Sequence, residues 1–335
     1  QGVEYRFDKF LGMGGFGEVW RSIDPDGQLA AFKLCTKGEA QQLVREAKIH
    51  EKMKRLGVSK EGPSAIVRML ELDIDCEQPW IKYELVESAI NIGDLFLQES
   101  PSHPLDADVK LVDFMIKVID ALAVAHQHGF IHGDLSHANI LVDKAGNVRI
   151  IDFGFAVGPK SAHSNSVSVQ SQDGGTPGYM SPERTDKLRK ELDPDDDVFS
   201  IGALSAMLLL RKPGMQLPRA LRAELANRGH RPKLLNVIES TQLASASCRP
   251  TNERHLRSRY RSLGELKRAL TGLPFYVRAQ LVRKARITRD EVRRWSRREA
   301  RRVLEGLNVR RRRRPGGLSR DGENFDAQGS NPHQG

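Results

Sequence analysis

The sequence predicts an α+β fold on three observations. Strand-like segments separated by glycine turns crowd the stretch up to Leu34, one amphipathic helical pattern follows, and the longest apolar run occupies residues 198–210. That run is too short to span a bilayer and coincides with an expected buried helix. At 335 residues the chain can hold two domains or one two-lobed domain.

Taken in order, residues 5–11 and 18–23 read as strands. Between them Leu11-Gly12-Met13-Gly14-Gly15-Phe16-Gly17-Glu18-Val19-Trp20 sets glycines where a hairpin without side chains can fold over phosphates. Strands on both sides, rather than strand then helix, disfavour a dinucleotide-binding turn. Asp26-Gly27 turns the chain into a third strand, residues 29–34, which contains Lys33. Residues 39–56 place Leu43, Ala47, Ile49 and Met53 among charged residues, as an amphipathic helix does. Further on, residues 130–131, 140–142 and 148–151 read as short strands, the last two joined by a turn at 143–147.

Polar groups at the ends of those last strands converge on one cleft. The run Ile131-His132-Gly133-Asp134-Leu135-Ser136-His137-Ala138-Asn139 is followed by Asp152-Phe153-Gly154. Asp134 can accept a hydroxyl proton, while Asn139 and Asp152 offer hard oxygen ligands to a Mg²⁺ that bridges ATP phosphates.

This set resembles the catalytic loop and DFG element of protein kinases, and the chain looks like a eukaryotic-like (Hanks-type) serine/threonine kinase from about Tyr5 to Leu270. The resemblance implies a bilobal fold, with an antiparallel β N-lobe carrying one helix (1–87), a mainly helical C-lobe (88–273), and ATP bound between them. It implies that Lys33 is the ATP-binding lysine and that Glu46, in Arg45-Glu46-Ala47-Lys48-Ile49, is its partner, with Glu39 and Glu51 as alternatives. Leu11, Gly12, Gly14, Gly15, Gly17, Val19 and Ala31 would cover the nucleotide. In Pro79-Trp80-Ile81-Lys82-Tyr83-Glu84-Leu85-Val86-Glu87, Tyr83 would be the gatekeeper, with Glu84 and Val86 as the hinge. Asp134, Lys33, Glu46 and Asn139 would be catalytic, and Asn139 and Asp152 would hold Mg²⁺.

Gly175-Thr176-Pro177-Gly178-Tyr179-Met180-Ser181-Pro182-Glu183 is similar to the substrate-side end of an activation segment, which implies protein rather than small-molecule substrates, and Thr176 implies Ser/Thr hydroxyls. Asp197 would tie down the catalytic loop, and Arg249 would pair with Glu183. The serines at 161, 164, 166, 168 and 171 lie in a segment without a core pattern and are sites open to autophosphorylation.

Two positions depart from the family pattern. Gly133 stands where many kinases have the arginine that senses activation-loop phosphate, so that control is absent. Ser136 stands where a lysine usually reaches the transferred phosphate; losing that cation costs about 2–4 kcal/mol of transition-state stabilisation unless His137 or another basic residue compensates. The rival readings are a pseudokinase scaffold, a small-molecule phosphotransferase, and a nucleic-acid-binding protein whose kinase fold is secondary.

Charge is uneven. Residues 274–314 carry sixteen Lys or Arg against four Asp or Glu, a net of +12, and residues 315–335 carry −2. With +10 overall, residues 1–273 are neutral. In this extension Thr288-Arg289-Asp290-Glu291 reads as a capping box ahead of a helix with Trp295, and Arg310 to Arg314 form a run that repels itself. Nucleic acid, an anionic membrane or an acidic protein would suit it. Residues 315–335 are polar and Gly-rich, and disorder is expected. Three cysteines without metal spacing and no secretory signal ahead of the glycine loop point to a cytoplasmic setting. The chain opens at Gln1 without Met, which leaves room for anchoring or sensor regions outside it. No sequence feature speaks to oligomeric state.

Overall fold

The computed structural model describes residues 4–14, 17–58, 64–99, 103–159, 174–189, 191–214, 220–242 and 259–285. The chain divides into two compact units, Gln1–Tyr276 and Val277–Gly335. Gly15, Arg249, the five serines between 161 and 171, and the extension from residue 286 lie outside the described residues.

The first unit begins with five strands, β1 (Arg6–Gly14), β2 (Gly17–Ile23), β3 (Leu29–Leu34), β4 (Met69–Asp73) and β5 (Trp80–Glu84), in the antiparallel order β1-β2-β3-β5-β4. Each early turn has a local cause. Gly17 takes φ +144°, and a β-carbon there would stand 1.8 Å from the Leu34 carbonyl oxygen, so only glycine lets β2 start beside the end of β3. Helix α1 (Ala40–Arg55) follows a short 3-10 turn at Lys37–Glu39, where Thr36 Oγ1 donates to Glu39 Oε2 at 2.8 Å. Its buried face is Leu43, Glu46, Ala47, Ile49, His50 and Met53, so an acid and a histidine interrupt an otherwise apolar stripe.

Beyond β5 the chain is mainly helical. A small sheet of β6 (Ile90–Asn91), β7 (Ile140–Val142) and β8 (Val148–Ile150) lies alongside α2 (Ile92–Gln98) and α3 (Pro104–Gln127). The strand expected at 130–131 is a single bridge between Ile131 and Val157, because the chain turns at once into the loop that carries Asp134. Helices α4 (Pro182–Thr185), α5 (Pro194–Leu210), α6 (Leu221–Asn227), α7 (Pro232–Thr241), α8 (Leu263–Thr271) and α9 (Pro274–Ala285) complete the described chain. Helix α5 is the centre of the core. All its residues from Asp195 to Leu210 are buried, and it starts with Asp193 as cap, Pro194 in the first turn and three further aspartates that complement the helix dipole.

Candidate active site

The N-lobe strands bring Lys33 to the floor of a cleft. Lys33 Nζ donates to Glu46 Oε2 at 2.8 Å and to Asp152 Oδ1 at 3.0 Å. Burial alone would lower the Lys33 pKa, but the two carboxylates outweigh it and hold the ammonium above its ordinary value. The same ammonium keeps the Asp152 carboxyl below the usual range against burial. Glu46 is fully enclosed, and burial pushes it up even against Lys33 and the Tyr83 hydroxyl. Of the three partners left open for Lys33, Glu46 is therefore the one in place. Glu39 caps the turn before α1, and Glu51 faces solvent beside Arg55 at 3.5 Å.

Asp152 sits at φ +61°, a left-handed conformation that turns its carboxylate back toward Lys33 while Phe153 goes inward. Phe153 is buried between His132, at a ring distance of 4.7 Å, and His50, at 5.6 Å. Gly14 lies over the same spot, since a β-carbon there would stand 4.0 Å from both Asp152 Oδ2 and Lys33 Cε.

The second half of the cleft hangs from α5. Asp197, wholly buried, accepts from His132 N at 3.0 Å, Gly133 N at 2.9 Å and His126 Nε2 at 2.7 Å. Burial would raise its pKa; the histidine partner and backbone donors win and lower it. This is the catalytic-loop anchor that the resemblance assigned to Asp197. Held this way, Asp134 accepts from the Thr176 amide at Oδ1, 2.6 Å away. Asn139 Nδ2 donates to the Asp134 carbonyl oxygen at 2.8 Å, which leaves the Asn139 amide oxygen for a hard cation. Burial pushes the Asp134 pKa up, opposed by Thr176. A raised pKa makes this carboxylate a stronger proton acceptor than a solvated one.

The departures can be placed as well. Ser136 is buried and its hydroxyl has no partner among the described residues, and it brings the cleft no charge. His137 does not replace the missing cation. Its Nδ1 is paired with Tyr179 Oη at 2.7 Å, and burial lowers its pKa, so the ring is neutral. At the hinge, the Glu84 carboxylate is engaged by Arg68 (3.1 Å) and Arg149, which leaves only backbone groups there, and Val86 O accepts from Ala89 N at 3.3 Å.

Three relationships were not read from the sequence. Arg259, completely buried, pairs with Glu183 at 2.9 Å, while the Arg249 expected there lies outside the described residues. Tyr83 Oη bonds Glu46 Oε1 at 2.5 Å. Arg184 reaches the backbone of the catalytic loop. In each case the partners are far apart in sequence or are carbonyls that no side-chain pattern marks.

Compared with known proteins, residues 5–261 match the protein kinase domain family. The chain belongs to that family. Among curated relatives it is 28% identical over 218 residues to the probable serine/threonine-protein kinase PknB of Corynebacterium glutamicum, covering 62% of this chain and 32% of that protein. It is 28% identical over 203 residues to the serine/threonine-protein kinase PknL of Mycobacterium tuberculosis (59% and 47%), and 28% identical over 220 residues to the serine/threonine-protein kinase PLK4 of Drosophila willistoni (63% and 25%). The chain thus spans between a quarter and a half of the length of these relatives. No helix among the described residues is long and apolar enough to cross a membrane.

Proposed function

We propose that the chain is an ATP-dependent serine/threonine protein kinase that moves the γ-phosphoryl of Mg-ATP to protein Ser or Thr hydroxyls, its own included. The observation that carries this reading is the Lys33 ammonium clamped between Glu46 and Asp152 in one cleft with Asp134 and Asn139. ATP and Mg²⁺ are the cofactors that family membership implies. The side chains fit them, with the Asn139 amide oxygen uncommitted, Asp152 Oδ2 facing the glycine loop, and space over Lys33 that a β-carbon at Gly14 would narrow. Bound there, Mg²⁺ would neutralise charge on the phosphate oxygens.

Lys33 would hold the α and β phosphates in a position that Glu46 fixes. The glycine loop would exclude water above them, and the Glu84 carbonyl and Val86 amide would read the base. Asp134 orients the attacking hydroxyl and takes its proton while the oxygen bonds to the γ-phosphorus. The bond to the β-phosphate oxygen breaks at the same time, and ADP leaves with that electron pair. The Thr176 amide holds Asp134 Oδ1 at 2.6 Å, and Oδ2, with only a longer contact of 3.4 Å from Asn139 Nδ2, would be the oxygen to receive the proton. The absence of a lysine at 136 costs about 2–4 kcal/mol of transition-state stabilisation, and the chain is read as a slow kinase.

The domain reading is an N-lobe (1–87), a C-lobe (88–273), an Arg-rich extension (274–314) and a tail (315–335). The +12 of the extension supports an anionic partner, and the unpaired cysteines Cys35 and Cys76 support a cytoplasmic setting. The test is phosphate incorporation by mass spectrometry after incubation with Mg-ATP, wild type against Asp134→Asn. Phosphoserine or phosphothreonine in the wild type alone supports the reading. Phosphate in neither, with ATP still bound, would overturn it in favour of a pseudokinase, the alternative that Ser136 favours.

A further inference from the structure

The catalytic loop has no room for a side chain at position 133. Gly133 takes φ +76°, and a β-carbon there would stand 2.5 Å from Leu192 Cδ1 and 3.2 Å from the Phe155 carbonyl oxygen. Position 133 therefore supplies no side chain to hold residues 174–176 against Asp134, and the loop's own side-chain link to the segment, His137 Nδ1 with Tyr179 Oη at 2.7 Å, lies further along it. Yet that segment must stay in place, because the Thr176 amide on Asp134 Oδ1 at 2.6 Å is the contact that orients the base.

The link comes from the opposite side. Arg184, on α4, donates through Nη1 to the Gly133 carbonyl oxygen and through Nη2 to the Gly174 carbonyl oxygen at 2.5 Å. One planar guanidinium thus clamps a catalytic-loop carbonyl and an activation-segment carbonyl, a geometry that its fork of donors suits and an ammonium does not reproduce. The base of the arm is rigid. Glu183 pairs with buried Arg259 at 2.9 Å, and Ser181 Oγ donates to Asp196 Oδ1 at 2.6 Å, which pins α4 to the start of α5. Burial lowers the Arg184 pKa, helped by the neighbouring Arg189, while the carboxylates of Asp196, Asp134 and Asp197 attract the guanidinium and oppose that shift.

We propose that Arg184 is a positioning residue that docks residues 174–176 onto the catalytic loop, and that this encoded clamp sets Asp134 for phosphoryl transfer without a phosphorylated activation segment. The inference rests on the kinase reading above, and two readouts keep the two apart. The first needs no turnover: hydrogen exchange at the Thr176 amide in the full chain, with a melting curve as control for folding. Thr176 is expected to be protected in the wild type and to exchange about tenfold faster or more in Arg184→Ala, with Arg184→Lys between them. The second is kinetic, on protein first treated with a phosphatase. Wild type is expected to keep its rate. Arg184→Ala is expected to lose about tenfold or more in kcat with the KM for ATP nearly unchanged, and Arg184→Lys to recover part of it.

Unchanged Thr176 exchange in Arg184→Ala would overturn the clamp. A wild-type rate that falls to the variant's level after phosphatase treatment would overturn it as a sufficient device. A wild type without any turnover would overturn the kinase reading, and the exchange arm alone would still decide whether Arg184 docks the segment.

Discussion

Tyr83 Oη lies 2.5 Å from Glu46 Oε1 while Glu46 Oε2 receives Lys33 at 2.8 Å, so one buried carboxylate joins the end of β5, helix α1 and the cleft cation. A carboxylate this enclosed is costly unless both oxygens are paired. Burial and the neighbouring Glu46 raise the Tyr83 pKa, so the hydroxyl keeps its proton and acts as the donor. The position of α1 relative to the sheet is therefore fixed by two bonds rather than one.

Tyr83→Phe keeps the ring and removes only that donor. Leaving Glu46 Oε1 buried without a partner costs about 1–3 kcal/mol. The expected outcome is a lower melting temperature together with a raised KM for ATP, because Lys33 is positioned less firmly. Calorimetry and initial-rate kinetics check it; an unchanged KM would show that Lys33 alone holds Glu46.

His50 gives a pH prediction. It is buried with no partner at Nε2 among the described residues, flanked by the rings of Tyr83 and Phe153, and its pKa is lowered to about 4 by burial and by the charges of Lys33 and His132, with Asp152 pulling the other way. The unfolded chain binds this proton near pH 6.5 and the folded one near 4. Stability is thus at its full value above 6.5 and falls as pH drops toward 4, by about 3 kcal/mol for this residue. His50→Leu is expected to flatten that part of the curve, measured by denaturant titration at pH 4.5 and 7.5.

Much of this site was legible because its residues are close in sequence. The spacing of Asp134, Asn139 and Asp152 follows from a loop, a tight hairpin and a second loop, which local turn chemistry records. The glycines before β2 are equally local. What was not legible depends on packing across the fold. Arg259 reaches Glu183 from 76 positions downstream, and no local pattern marks that contact. The role of His50 was open to reading, four residues after Glu46 on the buried face of α1, but a histidine in an apolar stripe reads first as a break in the pattern.

Asp134, the proposed proton acceptor, gives a second pH prediction. Burial raises the Asp134 pKa, and below it the carboxyl is protonated and cannot take the hydroxyl proton. Turnover should therefore rise with pH, with its acid limb above the ordinary carboxylate range. A rate profile from pH 4.5 to 8 checks this, and a limb at the ordinary position would mean that the base is better solvated than its burial implies.

Asp197 should be among the least tolerant positions. Asp197→Ala would leave the His132 and Gly133 amides and His126 without their common acceptor in a dry setting, a loss of about 3–5 kcal/mol. Asp197→Asn keeps one oxygen acceptor and should lose less. Parallel melts of the two variants would show the order.

Ser136 makes the opposite prediction. Its hydroxyl is enclosed and unpaired, so the folded state carries a desolvation cost with nothing in return. Ser136→Ala removes the oxygen without opening a void larger than the hydroxyl itself, and it should leave the protein as stable or more stable by up to about 1 kcal/mol. Because the hydroxyl brings no charge to the cleft, kcat should change by less than about twofold. Chemical denaturation and turnover on the same preparation check both halves. A stable variant with a collapsed kcat would mean that Ser136 meets the substrate after all.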